Sequence, residues 1–378
     1  MHIVVKSNTS ILIPYEYQND ISRELANYGY FLENGIWNIP NGIIGTISVE
    51  SFSIEITPNI DYLSFYDYFN LLKLNLSSNL NENFEFSKKD KAHSLSNIIL
   101  DSFKNELIKI SKKGIPSKYK VSKDNSLFFK GRTDIVKTSI NLITFSEPPV
   151  VNYVEKLSLD YPEIVEINKA YRKYVKITGE RVLEFEKISK DIPLNFHVNK
   201  YLSHISFNKL EYCYDLAYMI INNLNGISRG SKNNLSLLIN ANAIFEEFII
   251  KTLKLLFSDQ PFKEKEALVV AQTEDLISSV RVEPDLMYLG PLTVVLDMKN
   301  KNYFKGINSS DYHQMISYMN AFSSNSAVLI YPVTSDHYEE QVLNIINGNQ
   351  KIIRYPVNIR KLNFDLIRKN IARYITFQ

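Results

Sequence analysis

The sequence predicts an α/β fold, α+β over the chain as a whole, on three observations. Period-2 apolar runs bounded by turn residues fill the first sixty residues, helical spacing dominates 163–225, and from about 242 helix and strand patterns alternate to the C-terminus. The chain has 378 residues and 43.8 kDa, enough for two or three domains. The expected division is 1–150, a β-rich N-terminal domain; 151–230, a helical connecting segment; and 231–378, an α/β domain. A hydrophobic fraction of 45% supports real cores.

Taken in order, "NIPNGIIGTISVESFSIEITPNI" carries Pro-Asn-Gly, then alternating runs at Ile43 to Val49 and Phe52 to Ile56, then Pro58, which reads as a hairpin. Residues 63–113 read as helical, ending at Gly114, with a polar loop over 75–91 inside them. "SLFFKGRTDIVKTSINLITF", 126–145, returns to strand character, and Pro-rich "EPPVVNYVEKLSLDYP", 147–162, marks a boundary. A helical stretch then runs to a polar linker, "SRGSKNNLS", at 228–236. Beyond it the pattern reads helix 242–257, strand 267–271, hairpin 282–300, helix 311–323, strand 326–332, helix 336–347, strand 351–357 and helix 363–374.

Charge excludes a strongly basic protein. Lys+Arg 43 against Asp+Glu 41 leaves +2, so gripping nucleic acid by global charge is disfavoured, while a local basic face remains open. The single cysteine, Cys213, forms no intrachain disulfide and builds no Cys-rich zinc site; it reads as a small buried hydrophobe. No apolar run approaches the roughly 20 residues that span a bilayer. The N-terminus lacks a signal-peptide pattern, so a cytoplasmic protein without membrane contact is expected.

The chemistry concentrates in "EPDLMYLGPLTVVLDMKNKN", 283–302. With Gly290-Pro291 as the turn, five residues back reach Asp285 and six forward reach Asp297. In an antiparallel hairpin these acids lie side by side at the open end, and Lys299, two residues on, shares the face of Asp297. Adjacent carboxylates repel unless a cation lies between them, and an all-oxygen site suits Mg²⁺, with Mn²⁺ the other candidate. Such an ion polarises phosphate and acidifies bound water, and a neighbouring Lys can orient that water. Charged strand ends are also common without any chemistry, but Asp297-Met298-Lys299 is the one Asp-x-Lys or Glu-x-Lys in the chain. In "SSDYHQMISYMNAF", Tyr312, Met315, Met319 and Phe322 form a core stripe, and Gln314 and Tyr318 share another face. Gln314 reads either as holding phosphate or water, or as a surface or capping amide. Glu246, beside the core face of Phe245, Phe248, Ile249 and Leu253, reads as an assisting carboxylate or as half of a salt bridge.

These residues resemble a family. Pro284-Asp285, Asp297-x-Lys299 and Gln314-x-x-x-Tyr318 are similar to the signature of PD-(D/E)xK nucleases, and the chain more specifically resembles McrC, the nuclease subunit of McrBC-type modification-dependent restriction systems. "GTISVESFSIEITPNI", "KKGIPSKYKVSKDNSLFFKGRTD" and "INANAIFEEFI" are similar to further McrC regions in the same order. Three departures stand out. The usual Asp-Ala-Lys-Tyr-Lys is Asp297-Met298-Lys299-Asn300-Lys301, the Lys after the N-terminal Pro is Asn59, and the first Arg of Arg-Gly-Arg is Lys130.

The resemblance implies a C-terminal nuclease core with a mixed sheet flanked by helices. It also implies a Mg²⁺-dependent (or Mn²⁺-dependent) endonuclease acting on double-stranded DNA. Asp285 and Asp297 would bind metal, Lys299 would serve the attacking water, and Gln314 and Glu246 would assist. The implied partner is a hexameric McrB-type AAA+ GTPase carrying the domain that recognises modified cytosine, with the N-terminal region of this chain docked in its ring and stimulating its GTPase. Arg132 is a contact candidate by motif position, and a structural Arg is the other reading. Two rival functions stand beside this one: an interaction subunit without cleavage that activates the partner, and a stand-alone nuclease.

Overall fold

The structure is a computed structural model that describes residues 1–49, 52–76, 84–85, 95–192, 210–223, 236–272, 279–335, 337–346 and 348–375. In chain order the N-terminal third supplies β1 (His2–Lys6), β2 (Ser10–Leu12), α1 (Gln18–Ala26), β3 (Ile36–Asn38), β4 (Ile43–Val49), β5 (Phe52–Thr57), α2 (Phe65–Leu76), β6 (Phe84–Glu85) and α3 (Leu95–Lys113). The middle supplies β7 (Lys118–Ser126), β8 (Arg132–Thr133), α4 (Ile135–Ile143), β9 (Val150–Ser158), α5 (Pro162–Thr178), α6 (Leu183–Ser189) and α7 (Glu211–Asn223). The C-terminal part supplies β10 (Leu237–Asn240), α8 (Ala241–Leu256), β11 (Phe262–Glu264), β12 (Leu268–Gln272), β13 (Ser279–Val282), β14 (Leu286–Leu289), β15 (Thr293–Met298), α9 (Ser309–Ala321), β16 (Ser326–Val333), β17 (Gln341–Asn344), β18 (Lys351–Asn358), β19 (Lys361–Leu362) and α10 (Phe364–Ile375).

These elements make two compact units, one of Met1–Ile99 with Asn223–Gln378 and one of Leu100–Asn222. The linear division at 150 and 230 differs from this because strand pairing reaches across sequence. β10 pairs antiparallel with β4 in a sheet ordered β1-β5-β4-β10, so residues 237–240 join the N-terminal hairpin. Gly45 makes that possible: at φ +136°, its missing Cβ would lie 2.0 Å from the Leu237 carbonyl oxygen. The hairpin itself follows the sequence pattern, with β4 and β5 antiparallel and Ile47 opposite Ile54.

The first unit also contains a six-stranded mixed sheet ordered β11-β14-β15-β16-β18-β17. β15, β16 and β18 run parallel, while β14 and β17 are antiparallel to their neighbours. Parallel strands covered on both faces need continuous apolar runs, and Val294 to Leu296 and Ala327 to Tyr331 supply them, all buried. Met315 and Met319 of α9 pack with Val295 and Leu329 in one core. The 336–347 segment, expected as a helix, instead contains β17, an edge strand with Gln341 opposite Arg354. Hydrogen bonding to a neighbouring strand overrides the weak helical spacing there.

The second unit buries Phe103 of α3, Ile164 and Tyr174 of α5, Phe185 of α6, and Cys213 and Ala217 of α7; Cys213 is the small hydrophobe the sequence suggested. The same unit carries a three-stranded sheet, β7-β9-β8, and α4. Two expectations fail here. The boundary over 147–162 is β9, paired along β7 from Lys118 opposite Ser158 to Ser126 opposite Val150. The strand character over 126–145 gives way at Ile135 to helix α4, whose first turn is capped by the Asp134 side chain accepting from Lys137 N at 3.1 Å. A β-branched run mimics a strand when the helix it forms leaves most of those side chains outside. The polar loop over 75–91 and the linker at 228–236 lie largely outside the described residues.

This lobe exposes its apolar side chains. Leu127, Phe128, Phe129, Ile143 and Phe145 are 65 to 92% exposed, and Tyr119, Val121, Ile135, Val136 and Leu157 are also exposed. The loop presenting Phe128 and Phe129 is fixed from below. The buried Asn152 amide accepts from Lys130 N (3.1 Å) and Thr133 Oγ1 (2.9 Å), and donates to Ser126 Oγ and the Phe128 carbonyl, both at 2.9 Å.

Candidate functional site

Register places the two hairpin acids together. Leu286 pairs with Leu296, so one step toward the open end sets Asp285 across from Asp297. Asp285 turns back onto its neighbour strand, its Oδ2 accepting from Met298 N at 2.7 Å. Asp297 is buried, with 2% of its surface exposed, at the C-terminal end of a parallel strand. Such strand ends are where open α/β sheets place their ligand crevices. Beyond β15, Lys299 N donates to the Ile330 carbonyl at 2.8 Å, which keeps Lys299 in the extended run and on the face of Asp297.

The Lys299 Nζ lies 2.5 Å from Asp297 Oδ2 and donates to Gln314 Oε1 at 2.7 Å. Gln314 Nε2 donates to the Tyr318 hydroxyl at 2.8 Å, and that hydroxyl donates to the Glu283 carbonyl at 2.9 Å. The i,i+4 spacing on α9 thus forms a hydrogen-bonded relay from Lys299 back to the Glu283 carbonyl, two residues before Asp285. Of the five residues singled out in the sequence, Asp297, Lys299 and Gln314 are joined directly and Asp285 lies alongside. Glu246 sits further out, paired through Oε1 with Lys265 Nζ at 3.1 Å.

Electrostatics agree with the crowding of acids. Burial, and after it the negative charge of Asp297, push the Asp285 carboxyl up to about 7, against the pull of the Met298 amide. Burial also raises the Asp297 carboxyl, despite the Lys299 ammonium beside it. Glu246, though paired elsewhere, adds its negative charge at both. The Tyr318 hydroxyl is pushed up to about 12 by burial and then by Asp297, so it stays protonated as a donor. Among the described residues, no group of three or more His, Cys, Asp or Glu side chains is placed to hold a metal ion.

The sequence reading missed Asp311. This carboxylate, 3% exposed, accepts from Lys301 Nζ at 2.7 and 3.0 Å and lies 3.9 Å from Lys299 Nζ. The Asn308 side chain accepts from Asp311 N at 2.7 Å. In sequence, Asn308 and Asp311 read as an ordinary helix start, which hid the second role.

The sheet, its flanking helices and this strand-end cluster define a mixed α/β fold. A chain of a Thermococcus gammatolerans structure matches it. That structure is a refined half-complex from a tetradecameric assembly of McrB AAA+ hexamers with bound McrC. The match has a TM-score of 0.64 at 13% identity and covers 99% of this chain and 100% of that one. A cryo-EM structure of the Thermococcus gammatolerans McrBC complex gives TM-score 0.44 at 11% identity, over 70% of this chain and 90% of that one. No curated protein matches the sequence. The profile of the family described as McrBC 5-methylcytosine restriction system component matches residues 40–332. The chain belongs to that family. No helix among the described residues is long and apolar enough to cross a membrane.

Proposed function

We propose that the chain is the DNA endonuclease subunit of a modification-dependent, 5-methylcytosine-type restriction complex, dependent on Mg²⁺ or Mn²⁺. The observation that carries this is the joined set Asp297–Lys299–Gln314 with Asp285 beside it. Two adjacent carboxylates, both raised by burial, fit a small hard cation, which takes its remaining ligands from water and phosphate oxygens. Asp285 and Asp297 would hold the ion, and the bound ion supplies Lewis acidity at phosphate and a more acidic water. Lys299 Nζ, anchored by Gln314 Oε1, orients the attacking water and offsets charge on the phosphorane-like oxygens. Gln314 fixes that ammonium through Tyr318. Glu246 shapes the local field rather than touching the cluster, since its carboxylate is taken by Lys265.

The partner in this reading is a McrB-type AAA+ hexamer of the kind named for the Thermococcus structure, working as a GTPase. The exposed apolar lobe of β7, β9, β8 and α4 is the docking face. Its apolar side chains are held outward by a satisfied Asn152 network, and exposed apolar clusters mark protein contacts. The lobe also carries Lys130 and Arg132, both exposed. Docked there, the chain stimulates the GTPase.

The test is Asp297→Ala, assayed with the partner ring, GTP, Mg²⁺ and methylated duplex. Cleavage falls at least about a thousandfold while GTPase stimulation stays near the wild-type level. Cleavage at the wild-type rate overturns the metal-site reading. A wild-type complex that stimulates GTPase but never cuts points to the interaction subunit instead, and cutting without any partner points to a stand-alone nuclease.

A further inference from the structure

A pocket of about 470 Å³ opens beside the acid cluster, walled by Asn300 to Asn302, Lys305 and Asn308 on one side and by Asn8, Asn41 and Asn59 on the other. Its floor is Ile60, Tyr331 and Asp311, all buried. Asp311 is also the partition between this pocket and the strand-end cluster. It binds Lys301 at 2.7 Å on the pocket side and lies 3.9 Å from Lys299 on the other.

The lining decides the class of ligand. Small-molecule pockets are mostly apolar; here the lining has two largely apolar side chains, Ile60 and Tyr331, the Asp311 carboxylate engaged by Lys301, and otherwise amides and two ammonium groups. α9 begins at Ser309, so a thirteen-residue helix adds the positive end of its dipole at the rim. Asn308 Oδ1 is spent on Asp311 N, three residues on, which leaves the N–H groups of Ser309 and Ser310 without that cap. Lys6 pairs with Asp61 at 2.5 Å and lowers its carboxyl, with the charge of the exposed Lys305 a lesser cause. Ammonium groups, helix N–H groups and amides together form an anion site with hydrogen-bonding neighbours, the chemistry that holds a nucleic-acid backbone.

We infer that this pocket is the subsite for the sugar-phosphate backbone of the cleaved strand, immediately next to the bond being cut, with Lys305 and Lys301 contacting phosphate and the asparagine walls contacting sugar. The inference rests on the nuclease reading, which sets the scissile phosphate at Asp285, Asp297 and Lys299. It also supplies the local positive face that a net charge of +2 cannot provide globally. Asp311 holds Lys301 in the pocket lining until phosphate competes for the ammonium.

The test is fluorescence anisotropy of a labelled duplex DNA with the full chain carrying Asp297→Ala, titrated at several salt concentrations. Adding Lys305→Gln weakens binding severalfold to about tenfold and lowers the slope of log affinity against log salt by about one; adding Lys301→Gln as well lowers it by about two. Lys263→Gln, on β11 and outside the pocket lining, leaves both unchanged. Lys305→Arg restores binding. In the cleaving chain with its partner, Lys305→Gln raises the DNA concentration for half-maximal cleavage and leaves the saturated rate within about twofold.

An unchanged slope in the lysine variants overturns the subsite, as does a parent chain with no measurable DNA affinity. If the wild-type complex never cuts but the slopes fall as stated, the subsite stands and the nuclease reading fails. If the complex cuts and the slopes do not move, the reverse holds.

Discussion

Two sheets in this chain use the same residue types in opposite directions. In the six-stranded sheet, Val295, Leu329 and Ile352 are fully buried, and the charged side chains gather at the C-terminal end of β15. In the β7-β9-β8 lobe, Val121, Leu157 and Phe129 are exposed, and a polar side chain, Asn152, is buried beside Val150 and Val151. The first arrangement stabilises a scaffold that can hold like charges together. The second leaves apolar area in water that a partner can cover. Apolar content alone therefore does not say where a core is.

Substitutions of comparable size should separate the two sheets. The largest expected effect is in the scaffold: Leu329→Ala leaves a cavity and costs about 2–5 kcal/mol in a denaturation experiment. The paired change Phe128→Ser with Phe129→Ser should leave the denaturation midpoint nearly unmoved, because both rings are already exposed. It should weaken binding to the AAA+ ring by about ten- to a hundredfold, read by interferometry on the immobilised partner. A large loss of stability in that double variant would show that the lobe is core after all, and the contrast between the sheets would break.

Next comes Gln314→Leu. It removes the acceptor that anchors Lys299 while keeping the side-chain volume, and should lower the cleavage rate roughly tenfold to a hundredfold with little change in the GTPase stimulation. Equal losses in both activities would mean that Gln314 acts on the fold rather than on Lys299.

A further prediction sharpens the electrostatic side. The Asp285 carboxyl rises in the folded chain from an ordinary 3.8 to about 7, mainly through burial. Between those values the unfolded chain has released a proton that the folded chain keeps, so stability declines as pH rises across that window and levels off above it. The melting temperature of the metal-free chain should fall over the same interval, Asp285→Asn should remove that part of the slope, and added Mg²⁺ should raise the melting temperature most at pH above 7. An identical slope in Asp285→Asn sinks the assignment.

Much of the site was legible because it is local. A two-residue period and a Gly-Pro turn are enough to count Asp285 across from Asp297 and to put Lys299 on the same face. Helical spacing likewise joined Gln314 to Tyr318. Glu246 shows where counting stops: its helix and core face follow from spacing, but its actual partner, Lys265, lies on a loop that no periodicity connects to it.

By itself, then, the chain's order of residues determined the hairpins, the amphipathic helices and the acid-lysine cluster, since each depends on neighbours a few positions away. Tertiary structure alone decided that β10 would close the N-terminal sheet over Gly45, that α4 would turn its apolar side outward, and that Asp311 would stand between two lysines opposite Asn8 and Asn59. Those outcomes depend on which distant segments share space, and the free energy that chooses among them is spread over the whole packed core rather than written in any short stretch.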